Sequence, residues 1–233
     1  MSKTLLRREF LERLSLATGS VILLPGLPGC GGGASASGAG TSTAPDAQPS
    51  VPALTIPRAK PANWDAIAFN KERGNAGAIP ATYLPSINGA DGVEKHLGKH
   101  LPYIPEVDPS LVPEGFLPLM WGDPSRGYAP HPNAVRSEKN NFEGHWYNWI
   151  RVRAATDGDA TEEESRFSEW PAPAPADTGR YAAFAAKEIE SDDGKNTIYL
   201  VTRPKGLAAG SDVRIHAHCL THGEYVDFVT LRA

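Results

Sequence analysis

The segment Val213-Arg-Ile-His-Ala-His-Cys-Leu-Thr-His-Gly-Glu-Tyr-Val-Asp-Phe-Val-Thr-Leu231 contains two strand-like runs and the turn that joins them. The runs Val213–His218 and Tyr225–Leu231 are rich in β-branched and aromatic residues, which is typical of strands. Cys219 and His222 lie three residues apart, so both can reach one metal ion from a turn that follows a strand, and Gly223 permits a tight backbone there. This spacing is a weak signal alone, because it also occurs by chance and in zinc and copper sites.

Upstream of this segment, short runs bounded by Gly and Pro also predict strands. They are Phe116–Trp121, His145–Val152 and Asn196–Arg203, and the Ala-rich run Tyr181–Ile189 is compatible with a strand or a helix. We expect a short helix near Trp64–Arg73 and an exposed loop over residues 154–180, which include the acidic run Glu162–Glu164. The fold class predicted is all-β, an immunoglobulin-like β-sandwich with long loops.

The first thirty residues have the features of an export signal. Arg7-Arg8-Glu9-Phe10-Leu11 resembles a twin-arginine motif, and the apolar stretch from Leu14 to Leu27 is short and broken by Gly and Pro. Leu27-Pro28-Gly29-Cys30 resembles a lipoprotein cleavage box, with Cys30 as the lipidated residue. We therefore expect a lipoprotein exported to the periplasmic side and anchored to the membrane through Cys30; a plain signal anchor is the alternative.

The composition divides the remainder of the chain into two parts. Residues 31–63 are dominated by Gly, Ala, Ser, Thr and Pro, which predicts a disordered tether. Residues 64–233 have a globular composition and are expected to form one domain. The net charge of −4 makes nucleic acid an improbable partner.

The histidines are concentrated in the second half of the chain. All seven lie between residues 96 and 222, and Pro130 and Pro132 hold the backbone of His131 extended. The candidate metal-ligating set consists of four imidazoles and one thiolate, from His100, His131, His145, Cys219 and His222. Such a set suits a redox-active transition metal far better than calcium or magnesium.

Four segments, taken in order, resemble the iron-binding domain of the superoxide reductase family, which includes desulfoferrodoxin and neelaredoxin. They are Gly98-Lys-His-Leu-Pro102, Ala129-Pro-His-Pro132, His145-Trp-Tyr-Asn-Trp-Ile150 and Cys219-Leu-Thr-His-Gly223. The resemblance covers residues 94–233. It implies a mononuclear non-haem iron (Fe2+/Fe3+) with the four histidines in the equatorial plane, Cys219 as axial thiolate and the sixth position open.

The resemblance also implies an activity, the one-electron reduction of superoxide to hydrogen peroxide. Lys99 would attract the superoxide anion and help to supply a proton, and Glu94 is a second candidate catalytic residue. The sequence contains no Cys-x-x-Cys pair for a rubredoxin-like iron centre, so the electron donor is expected to be another molecule. Family members often assemble as dimers or tetramers, which implies a homo-oligomer.

The chain departs from the family pattern in two places. Many members have Glu before the Lys, where this chain has Gly98, and the full triplet Glu94-Lys95-His96 occurs four residues upstream. His96 is therefore the alternative to His100 as ligand; we prefer His100 because Leu101-Pro102 follows it. The gap between His131 and His145 is longer than usual, which predicts an inserted loop, Ala134–Gly144, near the metal.

Two other functions are compatible with the same residues. A cupredoxin-like electron carrier also uses His and Cys-x-x-His ligands on an exported β-sandwich, although no Met follows His222 and the only methionines are Met1 and Met120. A non-catalytic metal-binding lipoprotein with the same fold is the third possibility. We expect His216 and His218, which flank Cys219, to be ordinary hydrogen-bonded residues outside the ligand set.

Overall fold

The computed structural model describes residues 54–140 and 142–232 of the chain. The predicted signal peptide, with Cys30, and the tether as far as residue 53 lie outside the described residues. Residues 54–63 form neither helix nor strand, and the carbonyl of Pro57 accepts a hydrogen bond of 3.0 Å from Nη1 of Arg214.

Eight strands form two four-stranded antiparallel sheets in the described part of the chain. The first sheet has the order β1-β2-β6-β5 and the second the order β4-β3-β7-β8. The strands are β1 (Pro102–Tyr103), β2 (Phe116–Trp121), β3 (Tyr147–Ala154), β4 (Glu162–Arg166), β5 (Arg180–Ala183), β6 (Thr197–Thr202), β7 (Asp212–Cys219) and β8 (Gly223–Thr230). The predicted all-β sandwich is thereby confirmed.

Helical elements are short and lie mainly before the first strand. The α-helices are α1 (Ala66–Arg73) and α2 (Leu84–Asn88), and π-helical turns span Gly74–Ala78 and Gly92–Leu97. The 3-10 turns are Ala81–Tyr83, Gly98–His100, Pro109–Leu111, Pro124–Arg126, Glu138–Asn140 and Phe184–Ala186. Helix α1 begins where the Asp65 carboxylate accepts a hydrogen bond from the amide of Ala68, and it ends with Lys71 and Arg73, which complement the negative end of the helix dipole.

The main apolar core lies between the two sheets. Its largest members are aromatic, and burial of such side chains dominates the stabilisation of a domain of this size. The core includes Trp121 of β2, Trp146 and Tyr147 at the start of β3, Tyr199 of β6 and Cys219 at the end of β7. The site residue Cys219 is therefore held by the same packing that holds the sheets together.

One element differs from the sequence expectation. The acidic run Glu162–Glu164 was expected in an exposed loop, but it lies in the edge strand β4. Arginines pair with two of its carboxylates: Arg151 of β3 and Arg166 of β4 each contact Glu164 at 2.8 Å, and Arg214 of β7 pairs with Glu162. Charged residues are common on edge strands because they prevent pairing with another chain, and polarity alone therefore led to the wrong prediction.

A three-residue hairpin loop joins β7 to β8 and carries His222. Cys219 and Gly223 are paired across the hairpin, and Gly223 has a φ of +84°, which favours glycine. A Cβ at this position would overlap the carbonyl oxygen of Ala78 and lie 3.0 Å from Cα of Ile79. The absence of a side chain at residue 223 therefore lets the segment before β1 lie directly over the loop.

Replacing Gly223 by Ala is predicted to destabilise the domain through both backbone strain and steric overlap. Gly127 is a matched control, because it has a φ of +78° and its Cβ would meet nothing within 4 Å. We expect Gly127→Ala to cost about 1 kcal/mol and Gly223→Ala roughly 1–3 kcal/mol more in urea unfolding. Equal losses in the two variants would show that residues 78–80 do not pack on the loop.

Candidate metal centre

Four separate parts of the fold bring the five candidate ligands together. His100 ends the 3-10 turn before β1, His131 follows β2, His145 precedes β3, and Cys219 and His222 belong to the β7–β8 hairpin. One ligand atom from each lies within 4.8 Å of every other. Residues that are far apart in the sequence therefore meet at one point, which the spacing of neighbouring residues alone would not produce.

Backbone hydrogen bonds fix the two loop histidines that precede β3. The amide of His131 donates to the carbonyl of Trp121 at 3.0 Å, which ties the extended Pro-His-Pro loop to the end of β2. His145 and Ala134 exchange two hydrogen bonds of 2.9 Å each, and this bridge closes the base of the inserted loop. The longer connection between the two histidines therefore does not displace either ring from the cluster.

The four imidazoles are arranged as a closed ring of neighbours. His222 contacts His100 and His145 with ring centroids 4.9 and 4.6 Å apart, and His131 contacts the same two rings at 5.0 and 4.4 Å. His222 and His131 therefore occupy opposite corners, as do His100 and His145. Such a cycle allows four ring nitrogens to lie around a common centre.

The sulfur of Cys219 lies off this ring and close to two opposite corners of it. Its Sγ atom is 3.7 Å from Nε2 of His131 and 3.8 Å from Nδ1 of His222. The sulfur is therefore almost equally distant from two opposite members of the set. The cluster thus combines one buried sulfur with four imidazoles.

The distances between nitrogens fit a transition metal. Nδ1 of His222 is 3.0 Å from Nε2 of His100 and 3.0 Å from Nε2 of His145. Two nitrogens at right angles, each bound at about 2.1 Å, would be separated by about 3.0 Å. A buried cluster of four His and one Cys can therefore bind a metal ion.

A hydrogen bond outside the cluster orients His100 for ligation. Its Nδ1 donates to the carbonyl of His96, so in the neutral ring Nε2 carries the lone pair, and this is the atom that faces the cluster. Hydrogen bonds of this kind fix the tautomer and the orientation of metal-binding histidines. The ring also stacks on Tyr225, with centroids 4.2 Å apart and an interplanar angle of 6°.

Burial keeps all four imidazoles neutral. Desolvation is the largest cause in each case: it lowers the pKa of His100 and His131 well below the ordinary value, that of His145 to about 4 and that of His222 to about 2. Neutral imidazole is the form that binds metal. The site is therefore set to accept a cation at neutral pH without first releasing protons from nitrogen.

The thiol of Cys219, unlike the neutral imidazoles, must lose a proton before it can bind a metal. Burial raises its pKa to about 12, while the amides of Thr221 and His222 and the charge of Lys99 act in the opposite direction. The sulfur is fully buried, and it becomes an anion only when a cation replaces its proton. The two amide donors and the nearby ammonium are the groups that stabilise the thiolate once it forms.

The structure places His100, and not His96, among the five clustered residues. The Nδ1 atom of His96 is 2.9 Å from the hydroxyl of Tyr83, and its carbonyl accepts the hydrogen bond from His100. His96 thus lies one layer behind the ligand set. The two histidines occupy adjacent turns, which is why their order in the sequence left the choice open.

The two candidate catalytic residues lie in different surroundings. Lys99 is partly buried, and its charge acts on Cys219 and on each of the four clustered histidines. Glu94 is exposed, and it does not belong to the cluster. At Gly98, where many family members have Glu, a side chain would overlap the ring of Tyr128.

Sequence reasoning missed the contribution of residues 64–93 to the site. Tyr83 stacks on His222, with centroids 3.9 Å apart and an angle of 25°, and Nζ of Lys99 lies 5.6 Å from the centre of the Tyr83 ring. Helix α1 packs against β8, where the Asn70 side chain donates to the carbonyl of Val226 at 2.7 Å. This segment contains no metal-ligand residue type at a telling spacing, so only three-dimensional contacts show that it covers the site.

The two histidines that flank Cys219 have other partners. Nε2 of His216 is 2.9 Å from Oε2 of Glu224, and Nδ1 of His218 is 2.6 Å from Oδ1 of Asn148. Because residues alternate along a strand, 216 and 218 face away from the side to which Cys219 belongs. Both therefore lie outside the clustered set.

Comparison of the chain with protein-family models, with curated proteins and with solved structures returns no match. The resemblance to superoxide reductases therefore depends on the four sequence segments and on the donor geometry. Within the residues that the structure describes, no helix has the length and apolar character needed to cross a bilayer.

The choice between the two histidines can be tested by metal content. We expect His100→Ala to lose most of the bound metal, because it removes one of the four clustered imidazoles. His96→Ala should retain the metal. Metal analysis of the two purified variants, with circular dichroism to verify folding, makes the comparison. Retained metal in His100→Ala together with loss in His96→Ala would overturn the assignment.

Proposed function

We propose that this protein is a superoxide reductase-like non-haem iron enzyme. The observation that supports the proposal best is the cycle of four neutral imidazoles with one buried sulfur 3.7 and 3.8 Å from nitrogens of two of them. It agrees with the ligand set implied by the four family-like segments. Bound iron would supply the one-electron chemistry of the site, alternating between Fe2+ and Fe3+.

The donor set favours iron over blue copper. A blue-copper centre needs two histidines and one cysteine, usually with a weak axial thioether, whereas here four imidazoles converge. Met120, the sole methionine of the described residues, belongs to a separate apolar cluster with Ile198 and Leu200, and it accepts a hydrogen bond from Tyr103. The cluster therefore has two more imidazoles than a blue-copper centre uses, and among the described residues no thioether belongs to it.

Lys99 is the residue that we assign to substrate attraction. Its burial lowers its pKa, and the field of the Cys219 sulfur raises it. A cation beside the site draws a small anion towards it even though the chain carries a net charge of −4. Lys99 also carries protons within reach of the product, directly or through water.

The reaction consumes one superoxide, one electron and two protons and yields hydrogen peroxide. The four neutral histidines and Cys219 would hold the iron, and the Cys219 thiolate, supported by the amides of Thr221 and His222, would donate electron density to it. Tyr83 and the segment around it cover His222 and limit solvent at that ring. Glu94 is exposed and does not belong to the cluster, so we assign the catalytic role to Lys99.

The remaining parts of the proposal concern where the enzyme works and with what. The twin-arginine-like and lipoprotein-like segments support export to the periplasmic side and a membrane anchor at Cys30. Export of a folded protein would let the site acquire iron before copper and zinc compete, since affinity alone does not select iron. An external redox partner would supply the electron, and a homo-oligomer remains the expectation from the family.

The proposed activity predicts a defined stoichiometry and a role for one lysine. The iron-loaded, reduced full chain should form one hydrogen peroxide for each superoxide consumed and release no dioxygen, as pulse radiolysis with product analysis would show. Lys99→Met should lower the second-order rate constant roughly tenfold and weaken its dependence on ionic strength, because it removes the attracting charge.

Lys95→Met is the matched control for this experiment. Lys95 is exposed and paired with Asp91 at 2.8 Å, so its removal should change the rate little. Production of dioxygen in the ratio of a dismutase, or copper in place of iron in the purified protein, would contradict the proposed function. A protein that binds iron yet leaves superoxide untouched would instead be the non-catalytic alternative.

A further inference from the structure

Two buried aromatic side chains next to the metal centre have polar atoms without partners. In the described part of the chain, the hydroxyl of Tyr147 and the indole N–H of Trp121 are buried and make no hydrogen bond. Two other buried indoles are satisfied: Nε1 of Trp146 donates to the carbonyl of Phe167, and Nε1 of Trp170 donates to Thr197. Tyr147 and Trp121 are therefore exceptions to the rule that buried polar atoms are paired.

These two exceptions are in contact with each other and with a metal-ligand candidate. The rings of Tyr147 and Trp121 stack at 4.1 Å with an interplanar angle of 22°. The ring of Tyr147 lies 4.8 Å from that of His131. The two side chains with unpaired groups thus lie together, next to His131 of the cluster of four imidazoles.

Further aromatic contacts lead from this pair towards the surface. The ring centroid of Tyr199 lies 5.0 Å from that of Trp121 and 5.7 Å from that of Tyr147. The ring centroid of Tyr181 lies 5.2 Å from that of Tyr199. Tyr181 is partly exposed, and its hydroxyl donates to the carbonyl of Glu169. An unbroken path of van der Waals contacts therefore joins the centre to solvent through oxidisable rings.

Packing alone does not account for Tyr and Trp at the inner end of the path. Phenylalanine would fill the same kind of core position without the desolvation cost of an unpaired hydroxyl or N–H. The chemical property that phenol and indole have, and a phenyl ring lacks, is ready loss of one electron. The expensive choice of side chain thus indicates a redox role beside a redox centre.

We propose that Tyr147 and Trp121 form an electron relay that protects the centre against its own product, an inference that rests on the proposed function. When hydrogen peroxide reacts with the reduced centre, one electron comes from Fe2+ and one from the aromatic pair. With Tyr147 as donor, H2O2, Fe2+, one tyrosine and one proton give Fe3+, one neutral tyrosyl radical and two waters. The phenolic proton is incorporated into water, so charge and atoms balance.

The radical then moves outwards and is repaired at the surface. Tyr199 returns an electron and a proton to Tyr147, and Tyr181 returns an electron and a proton to Tyr199. A thiol reductant then restores Tyr181 by donating a hydrogen atom, and two thiols that do so couple to a disulfide. Without the relay, the second oxidising equivalent falls on the ligands. Cys219 is then the vulnerable group, because thiolate sulfur oxidises irreversibly to the sulfinic and sulfonic states.

The test uses the iron-loaded, reduced full chain and one equivalent of hydrogen peroxide. Samples frozen within milliseconds are examined by electron paramagnetic resonance, and Cys219 oxidation is measured by peptide mass spectrometry. In the wild type we expect an aromatic radical and little oxidation of Cys219. Tyr147→Phe and Trp121→Phe should each diminish the radical signal several-fold and raise Cys219 oxidation by a similar factor.

Tyr103→Phe is the matched control, since Tyr103 donates to Met120 and lies outside the path. It should resemble the wild type in both measurements. Tyr147→Phe should also bind iron and unfold at the same temperature as the wild type or higher, because it removes an unpaired hydroxyl. A marked loss of thermal stability in Tyr147→Phe would show that the hydroxyl has a structural partner and would remove the basis of the inference.

Two failures are separable in this design. If the wild type binds no iron or does not reduce superoxide, the proposed function fails. If it does both, but peroxide yields no aromatic radical, or the radical and Cys219 oxidation are unchanged in Tyr147→Phe and Trp121→Phe, the relay alone is refuted.

Discussion

The structure depends on keeping four neutral imidazoles and one thiol together in a space with little access to water. The nitrogen of His222 lies 3.0 Å from two other ring nitrogens, and the sulfur of Cys219 is fully buried. Protonating any of these rings would place a cation among groups that cannot solvate it, and burial lowers the pKa of every one. A metal cation would accept the nitrogen lone pairs and replace the thiol proton, which would stabilise these buried groups. The packing of the sandwich therefore also determines the chemistry of the site.

The sheets contribute rigidity, and the loops contribute the donors. Cys219 belongs to the central aromatic core, and the three-residue hairpin carries His222 beside it without slack. The two prolines around His131 and the backbone bridge at His145 restrain those two histidines in the same way. Ligands held on short, hydrogen-bonded connections lose little entropy on binding a metal, which is the purpose of a preformed site.

Much of this arrangement could be predicted from the sequence, and the parts that could not have physical causes. Short runs of apolar, β-branched and aromatic side chains identified β2, β6, β7 and β8. The acidic β4 has no such residue, and two of its arginine partners lie on other strands, so it lacks a local signal. The sequence favoured His100 over His96 only through the following Leu101-Pro102, because both histidines stand beside a lysine; in the structure His100 joins the cluster, and His96 accepts a hydrogen bond from its ring. The cover formed by Tyr83 was invisible, since stacking on His222 depends on contacts over more than a hundred positions of the chain.

The central claim is that these five residues bind one iron ion together. X-ray absorption spectroscopy of the iron-loaded protein at the iron edge tests it most directly. The account predicts a shell of about four nitrogen scatterers near 2.1 Å and one sulfur scatterer near 2.3 Å, with the sulfur contribution lost in Cys219→Ser. An iron shell without sulfur in the wild type, or one unchanged by Cys219→Ser, would contradict it.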